Sequence, residues 1–176
     1  MKKLLFISAL SLALFSTASA QTNQPEDKTK RPSPPAMVRQ TIPGGATIQI
    51  DYSQPALKGR TMGKDVEPMK GQVWRAGANE ATVFKTSKDI TVEGKTLPAG
   101  KYALFMQVND NDWTIIFNKT AEQWGAYDYK KADDALRINV KPATRPTASE
   151  RLTYLITKDG KVSLVWGTTE VSFNVK

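Results

Sequence analysis

Alternation of apolar and polar residues with a period of two runs through the chain from residue 36 onward, and it constrains the fold more than any other feature. In ATIQIDY, the side chains of Ile48, Ile50 and Tyr52 fall on one face of a strand and their polar neighbours on the other. The segment LRINVK, residues 136–141, repeats the pattern. No strand is followed by the dozen or more helical residues that a parallel crossover requires, so the strands are predicted to be antiparallel.

Turn residues divide residues 36–176 into about nine or ten short strands, the spacing expected of an all-β domain. We therefore predict a single antiparallel β-sandwich, or a partly closed barrel, with at most one short helical turn, near residues 120–129. The last three segments, RLTYLIT, KVSLVWG and VSFNVK, are predicted to form a three-stranded meander, with turns at 158–160 and 168–169.

The N-terminus has the three parts of an export signal. Lys2 and Lys3 precede an apolar run from Leu4 to Phe15, and Ala18-Ser19-Ala20 provides a cleavage site. We expect residues 1–20 to be a signal peptide that is removed after Ala20. The run of 12 residues is shorter than the roughly 20 that span a bilayer, so no transmembrane anchor is expected. The mature protein is predicted to be periplasmic or secreted.

Residues 21–35, QTNQPEDKTKRPSPP, follow the predicted signal. The segment has no apolar side chain larger than proline and cannot bury enough surface to offset the entropy lost on ordering. We expect a flexible, proline-rich leader here, followed by the sandwich domain at residues 36–176.

Two residue types are missing, and their absence excludes whole classes of chemistry. The chain has no cysteine, hence no disulfide, thiol nucleophile or lipid-attachable cysteine, and it has no histidine. Catalysis by Ser-His-Asp or Cys-His groups is therefore impossible, and no zinc site is expected. Only carboxylate sites for a hard cation such as calcium are left, and no metal site is predicted. No phosphate-binding glycine motif is present, so no nucleotide or other cofactor is expected.

The formal net charge is +8, but the basic residues are scattered along the chain. Nucleic-acid binding requires them to cluster on one face or in one run. We expect a solvated basic surface and no nucleic-acid partner.

Three segments depart from the strand pattern. The first is a long connection, DYSQPALKGR with its continuation TMGKDVEPMKG, which contains Lys58, Arg60, Asp65 and Glu67. Long ordered loops are often functional, so Lys58 and Arg60 are secondary binding candidates. The alternative is an ordinary crossover whose charges keep it solvated.

The second segment is WRAGANEAT, residues 74–82. In a binding site, Arg75 would hold an anionic or hydroxyl-rich ligand, Glu80 would accept its hydrogen bonds and Trp74 would offer a ring for stacking. In the structural alternative, Arg75 and Glu80 form a buried ion pair and Asn79 caps free amides. Both readings stay open at this point.

The third segment is QWGAYDY, residues 123–129. It sets Trp124 and Tyr127 beside Asp128, a combination that suits sugars, whose ring faces stack and whose hydroxyls need acceptors. Alternatively, the rings close one end of the sandwich.

The segments SPPA, DYSQP with KGR, WRAGANEAT, LPAGKYALF, WTIIFN and QWGAYDY together resemble the family called domain of unknown function 2911, whose members are exported bacterial proteins. The resemblance covers Ser33 to about Lys176. Gln54 stands where the family leads us to expect arginine. The family carries no established activity, so the resemblance implies no catalytic residue; it marks WRAGANEAT and QWGAYDY as family hallmarks.

Three functions remain open. The first is a non-enzymatic exported sandwich that binds a small molecule, a glycan or an envelope protein through Trp74, Arg75, Asn79, Glu80, Trp124, Tyr127 and Asp128. The second is a structural, envelope-associated domain without a pocket. The third is a histidine-free hydrolase of glycosides, with Glu80 as acid and Asp128 as nucleophile or base.

Overall fold

The structure is a computed structural model that describes residues 26–176. The predicted signal peptide and residues 21–25 of the predicted leader lie outside the described residues. The described chain forms eleven strands: β1 (Pro35–Thr41), β2 (Thr47–Ser53), β3 (Val73–Trp74), β4 (Thr82–Thr86), β5 (Ile90–Val92), β6 (Lys95–Leu97), β7 (Gly100–Val108), β8 (Trp113–Asn118), β9 (Asp134–Val140), β10 (Ala143–Ile156) and β11 (Lys161–Asn174).

One large antiparallel sheet forms the first layer. Its strand order is β1-β2-β4-β7-β8-β9, and the short β3 also pairs with β7. The predicted faces are confirmed in β2, where Ile48, Ile50 and Tyr52 are buried. The sheet therefore presents one apolar face to the rest of the domain.

Two hairpins, β10-β11 and β5-β6, form the second layer. An isolated bridge between Val92 and Val175 connects them. The core lies between the layers. The ring of Phe117, in the large sheet, packs edge to face against the rings of Phe84 in the same sheet and Phe173 in the β10-β11 hairpin, with centroids 5.1 and 5.8 Å apart. Aromatic packing of this kind joins the two layers into one sandwich.

A second, smaller apolar cluster lies on the opposite face of the large sheet. Phe105 and Ile116 are fully buried there, although their strand neighbours face the main core. Ala126 and Tyr129, from the connection between β8 and β9, cover them. This connection contains QWGAYDY, so that segment is packed onto the outside of the sheet.

The all-β antiparallel sandwich is confirmed, but two local predictions are wrong. Residues 168–169 do not form a turn, because β11 continues through them; the register with β10 shifts there instead, between the pairs Thr144–Thr169 and Ser149–Gly167, and the chain does not reverse. The helical turn expected at 120–129 is also misplaced. Among the described residues, two 3₁₀ turns occur, at Lys28–Lys30 and Lys131–Asp133, and there is no α-helix.

Candidate functional site

The loops WRAGANEAT and QWGAYDY, far apart in sequence, lie side by side. A β-bridge joins Glu80 to Trp124. The amide of Ala81 donates to the carbonyl of Gln123 at 3.0 Å, and the amide of Gly125 donates to the carbonyl of Asn79 at 3.2 Å. The tertiary fold thus brings two of the three predicted segments into one surface region.

The WRAGANEAT loop has an unusual backbone. Ala76 and Asn79 adopt left-handed conformations with φ of 53° and 59°. The carbonyl of Ala76 accepts hydrogen bonds from Thr82 Oγ1 at 3.0 Å and from the buried Tyr154 Oη at 2.9 Å. Strained residues persist where surrounding contacts over-determine them, and they cluster at functional sites. The core therefore holds this loop in one shape.

Trp74 is not available to a ligand, so the prediction that its ring offers a stacking face is wrong. The side chain is 2% exposed, its ring stacks against Trp166 at 6.0 Å, and its Nε1 donates to the carbonyl of Gly77 at 3.2 Å. The strand β3 begins one residue earlier and points Trp74 into the core. The local sequence around an aromatic residue next to a loop does not distinguish a ring that faces solvent from one that faces the core.

The alternative in which Arg75 and Glu80 form a buried ion pair is also wrong. Glu80 pairs instead with Lys28 Nζ at 2.8 Å and Arg31 Nη1 at 2.9 Å. Burial alone would raise the pKa of the Glu80 carboxyl, but hydrogen bonds from Lys28 and Arg31 outweigh that effect and hold the pKa at about 2. Glu80 is therefore ionised at neutral pH and cannot serve as the general acid of a glycosidase.

Asn79 ties the segment before β1 to the loop. Its Nδ2 donates to the carbonyl of Ser33 at 3.0 Å and to Ser53 Oγ at 3.2 Å. We expected Asn79 to cap free amides in the structural alternative, but the side chain acts here as a donor. Residues 26–34, which belong to the predicted leader, contact the site through Lys28, Arg31 and Ser33; no motif in the sequence signalled these contacts.

Trp124, Tyr127 and Asp128 lie at the surface. Trp124 is 53% exposed and Tyr127 is 81% exposed. The guanidinium of Arg31 covers the Trp124 ring at 5.8 Å from its centroid. Asp128 is exposed and forms no hydrogen bond with any described residue. The two rings do not close an end of the sandwich.

A network of polar side chains fixes the base of the QWGAYDY loop. Tyr129 Oη donates to Asp134 Oδ2 at 2.8 Å, and Arg137 Nη1 donates to the same carboxylate oxygen at 2.8 Å. Burial and the neighbouring Asp134 carboxylate raise the pKa of Tyr129 to about 12. Tyr129 therefore stays a neutral hydrogen-bond donor, and the exposed rings stand on a rigid support.

The two secondary binding candidates, Lys58 and Arg60, lie in different surroundings. The side chain of Lys58 is exposed, and its amide donates to Glu150 Oε1 at 2.6 Å. Arg60 folds back on its own loop, where Nε and Nη2 donate to the carbonyls of Leu57 and Ala56, both at 2.9 Å. Arg60 also borders the cleft that contains Arg75, whereas Lys58 does not.

Arg75 lines a cleft of about 370 Å³. The same cleft is lined by Arg60, Asp65, Glu67, Ala78 and Trp166. Arg75 forms no salt bridge with any described residue, and its buried Nε has no hydrogen-bond acceptor among them. Nη1 of Arg75 and Cε2 of Tyr127 lie 3.4 and 3.0 Å from the position that a Cβ on Gly125 would occupy. The exposed Tyr127 ring therefore lies near the guanidinium.

A larger groove of about 510 Å³ lies on the outer face of the large sheet. Met37, Ala81 and Val83 line it together with charged residues that are already paired, such as Lys28 with Glu80. Within residues 26–176, no cluster of acidic side chains is suited to hold a metal ion. Arg75 is thus the charged group with the clearest capacity to bind a ligand.

The fold and the cleft define an all-β sandwich domain whose loops line a small, open cleft with charged walls. Residues 33–175 match a family described as protein of unknown function, DUF2911. The chain belongs to the DUF2911 family, as the resemblance predicted. No curated protein and no solved structure matches the chain. No helix within residues 26–176 is long and apolar enough to cross a membrane.

Proposed function

We propose that the chain is an exported, non-enzymatic binding protein that takes a small molecule with an anionic group into the cleft around Arg75. The observation that carries the proposal is the guanidinium without a partner: Arg75 has no counter-ion among the described residues, and its buried Nε is unsatisfied. A partly buried cation in this state costs free energy, and an anionic ligand would recover that cost.

The size and position of the cleft support the same proposal. A volume of about 370 Å³ is near the lower end of the roughly 300–1,000 Å³ that ligand pockets occupy. The strained residues Ala76 and Asn79 lie in the loop that presents Arg75; the core residue Tyr154 holds Ala76, and hydrogen bonds to Ser33 and Ser53 hold Asn79. A site that is preformed in this way loses little entropy on binding.

Thermal shift on residues 21–176 tests the proposal with a panel of small carboxylates, amino acids included, and of small phosphates and sulfates. We expect at least one compound to raise the melting temperature of the native protein and of Arg39→Gln, but not that of Arg75→Gln. Arg39 is an exposed arginine on β1, outside the cleft, so its substitution controls for the loss of one arginine charge. Equal shifts in all three proteins, or no shift with any compound, would refute the proposed site.

The export part of the proposal is supported by residues 1–20 of the sequence. The protein expressed from its full sequence in a Gram-negative host is expected in the periplasmic fraction, with Gln21 as its N-terminal residue. Recovery of the uncleaved chain from the cytoplasm would show that the segment is not an export signal.

The exposed rings favour a second candidate, binding of a glycan or an envelope protein at Trp124 and Tyr127. Their exposed fractions of 53% and 81% are high for aromatic side chains on a rigidly supported loop. A ligand whose binding is abolished by Tyr127→Ala and unaffected by Arg75→Gln would place binding at the rings.

A further inference from the structure

Four charged side chains line the Arg75 cleft without pairing with one another. Arg60, Arg75, Asp65 and Glu67 all border it, and none of them forms a salt bridge with any described residue. Opposite charges elsewhere on this surface do pair; Lys85, for example, reaches Asp51 at 2.6 Å. The arginines and the carboxylates of the cleft therefore stay separate, although opposite charges attract each other.

Backbone hydrogen bonds explain why the charges of one loop stay apart. Asp65 Oδ2 accepts from the amide of Thr61 at 2.9 Å, and Glu67 Oε2 accepts from the amide of Met69 at 2.9 Å. Each carboxylate thus keeps one oxygen without a hydrogen-bond donor among the described residues.

Arg75 comes from a different part of the chain, directly after β3. The cleft thus has one cation, Arg75, from one segment, and two carboxylates from another segment, whose own cation, Arg60, already donates to carbonyls of its loop. A purely anionic ligand would gain the attraction of Arg75 but face repulsion from Asp65 and Glu67, and a purely cationic ligand would face the reverse. Only a ligand that carries both charges is attracted by both segments.

We infer that the ligand of this cleft is a small zwitterion of the amino-acid or dipeptide class, with its carboxylate on Arg75 and its ammonium group between Asp65 and Glu67. This inference rests on the proposed function. The two cations and two carboxylates balance, which matches a ligand without net charge. Val66 and Met69 also border the cleft and offer apolar surface to the ligand's side chain.

Calorimetric titration of residues 21–176 with the common L-amino acids and their glycyl dipeptides tests the inference. The tightest binder is then compared with its analogue that lacks the amine and its analogue that lacks the carboxylate. We expect each analogue to bind about tenfold or more weakly, the loss that accompanies one charge-assisted hydrogen bond. A carboxylate-only analogue that binds as tightly as the zwitterion would overturn the inference and leave the proposed function intact.

Variants assign each charge of the ligand to its partner. The double variant Asp65→Asn, Glu67→Gln is expected to weaken the zwitterion about tenfold or more and to leave the carboxylate-only analogue unchanged or tighter. Arg75→Gln is expected to weaken both. Glu122→Gln removes a carboxylate outside the cleft and serves as the control, with no change expected. If no amino acid or dipeptide binds while a simple anion does, the inference fails; if neither binds, the proposed function fails with it.

Discussion

Arg31 donates hydrogen bonds from Nη1 to both carboxylate oxygens of Glu80, at 3.1 and 2.9 Å. This contact joins the segment before β1 to the tip of the WRAGANEAT loop. The side chain of Arg31 is only 12% exposed, and it also pairs with Glu26. Hydrogen bonds to Glu26 and then to Glu80 raise the pKa of Arg31 above its ordinary value. A short segment rich in charge and proline is thereby attached to the sandwich.

The attachment predicts protease sensitivity. Glu80→Gln removes the charge that holds Lys28 and Arg31, so residues 26–34 are expected to detach and trypsin to cut after Lys28 and Lys30 several-fold faster. Mass spectrometry of the N-terminal fragments measures the rate. Glu122→Gln, which removes the partner of Lys101 instead, is the control. An unchanged cleavage rate in Glu80→Gln would show that this carboxylate does not retain the segment.

The buried and the exposed aromatic residues of the hallmark loops are expected to differ in how much they contribute to stability. Trp74 is 2% exposed and stacks on Trp166, so Trp74→Ala is expected to lower the free energy of unfolding by about 3–5 kcal/mol. Tyr127 is 81% exposed, and Tyr127→Ala is expected to change it by no more than about 0.5 kcal/mol. Urea denaturation followed by circular dichroism measures both. Similar losses in the two variants would contradict the placement of Trp74 in the core.

The turn between β10 and β11 predicts a requirement for glycine at position 160. Gly160 has a φ of +94°, and a Cβ there would lie 2.1 Å from the carbonyl oxygen of Val175. Gly94 has a φ of +78° with no atom within 4 Å of a Cβ, so it is a matched control. Gly94→Ala is expected to cost about 1–2 kcal/mol from backbone strain alone. Gly160→Ala is expected to cost clearly more, by thermal or urea unfolding; equal costs would mean that the Val175 backbone moves freely aside.

Glu170 predicts a dependence of stability on acid. Its carboxylate accepts hydrogen bonds from Lys161, Ser172 and Ser163, and these outweigh burial and lower its pKa from the ordinary 4.5 to about 2. A carboxyl whose pKa is lowered by folding stabilises the protein above its unfolded pKa and loses that contribution as pH falls through the folded pKa. The contribution is therefore complete above about pH 5 and disappears between pH 4.5 and about 2.

Unfolding of the native protein and of Glu170→Gln, measured from pH 7 to pH 2, checks this dependence. The native protein is expected to be more stable at pH 7, and the difference is expected to shrink as pH falls through the acid range. Glu80 titrates in both proteins and does not affect the comparison. A difference that stays constant down to pH 2 would contradict the lowered pKa.

The fold class followed from the sequence because sheet formation depends on a local pattern. Ile48, Ile50 and Tyr52 alternate with polar residues, and the structure buries that same set. Turns such as the one at 158–160 also follow from local residue preferences. The predicted turn at 168–169 failed because a bend between paired strands and a chain reversal use similar residues, and only the partner strand distinguishes them.

The candidate site was predictable in its location but not in its contacts. WRAGANEAT and QWGAYDY stand out because they interrupt the strand pattern, and the structure joins them through Glu80 and Trp124. Whether Trp74 faces ligand or core, and whether Arg75 meets Glu80, depends on residues distant in the chain. Glu80, which the sequence allowed to pair with Arg75, pairs with Lys28 and Arg31 instead. These two residues belong to a segment that has no core-forming residue of its own.

The sequence by itself determined an all-β chain with no cysteine or histidine chemistry and with two irregular loops, since strand periodicity and residue content are local properties. The tertiary structure alone decided that Arg75 is left without a counter-ion in a cleft with Asp65 and Glu67. That outcome depends on which charged groups from distant parts of the chain the fold brings within hydrogen-bond distance of one another. Electrostatic pairing acts through space over a few ångströms, and distance along the chain carries no information about it.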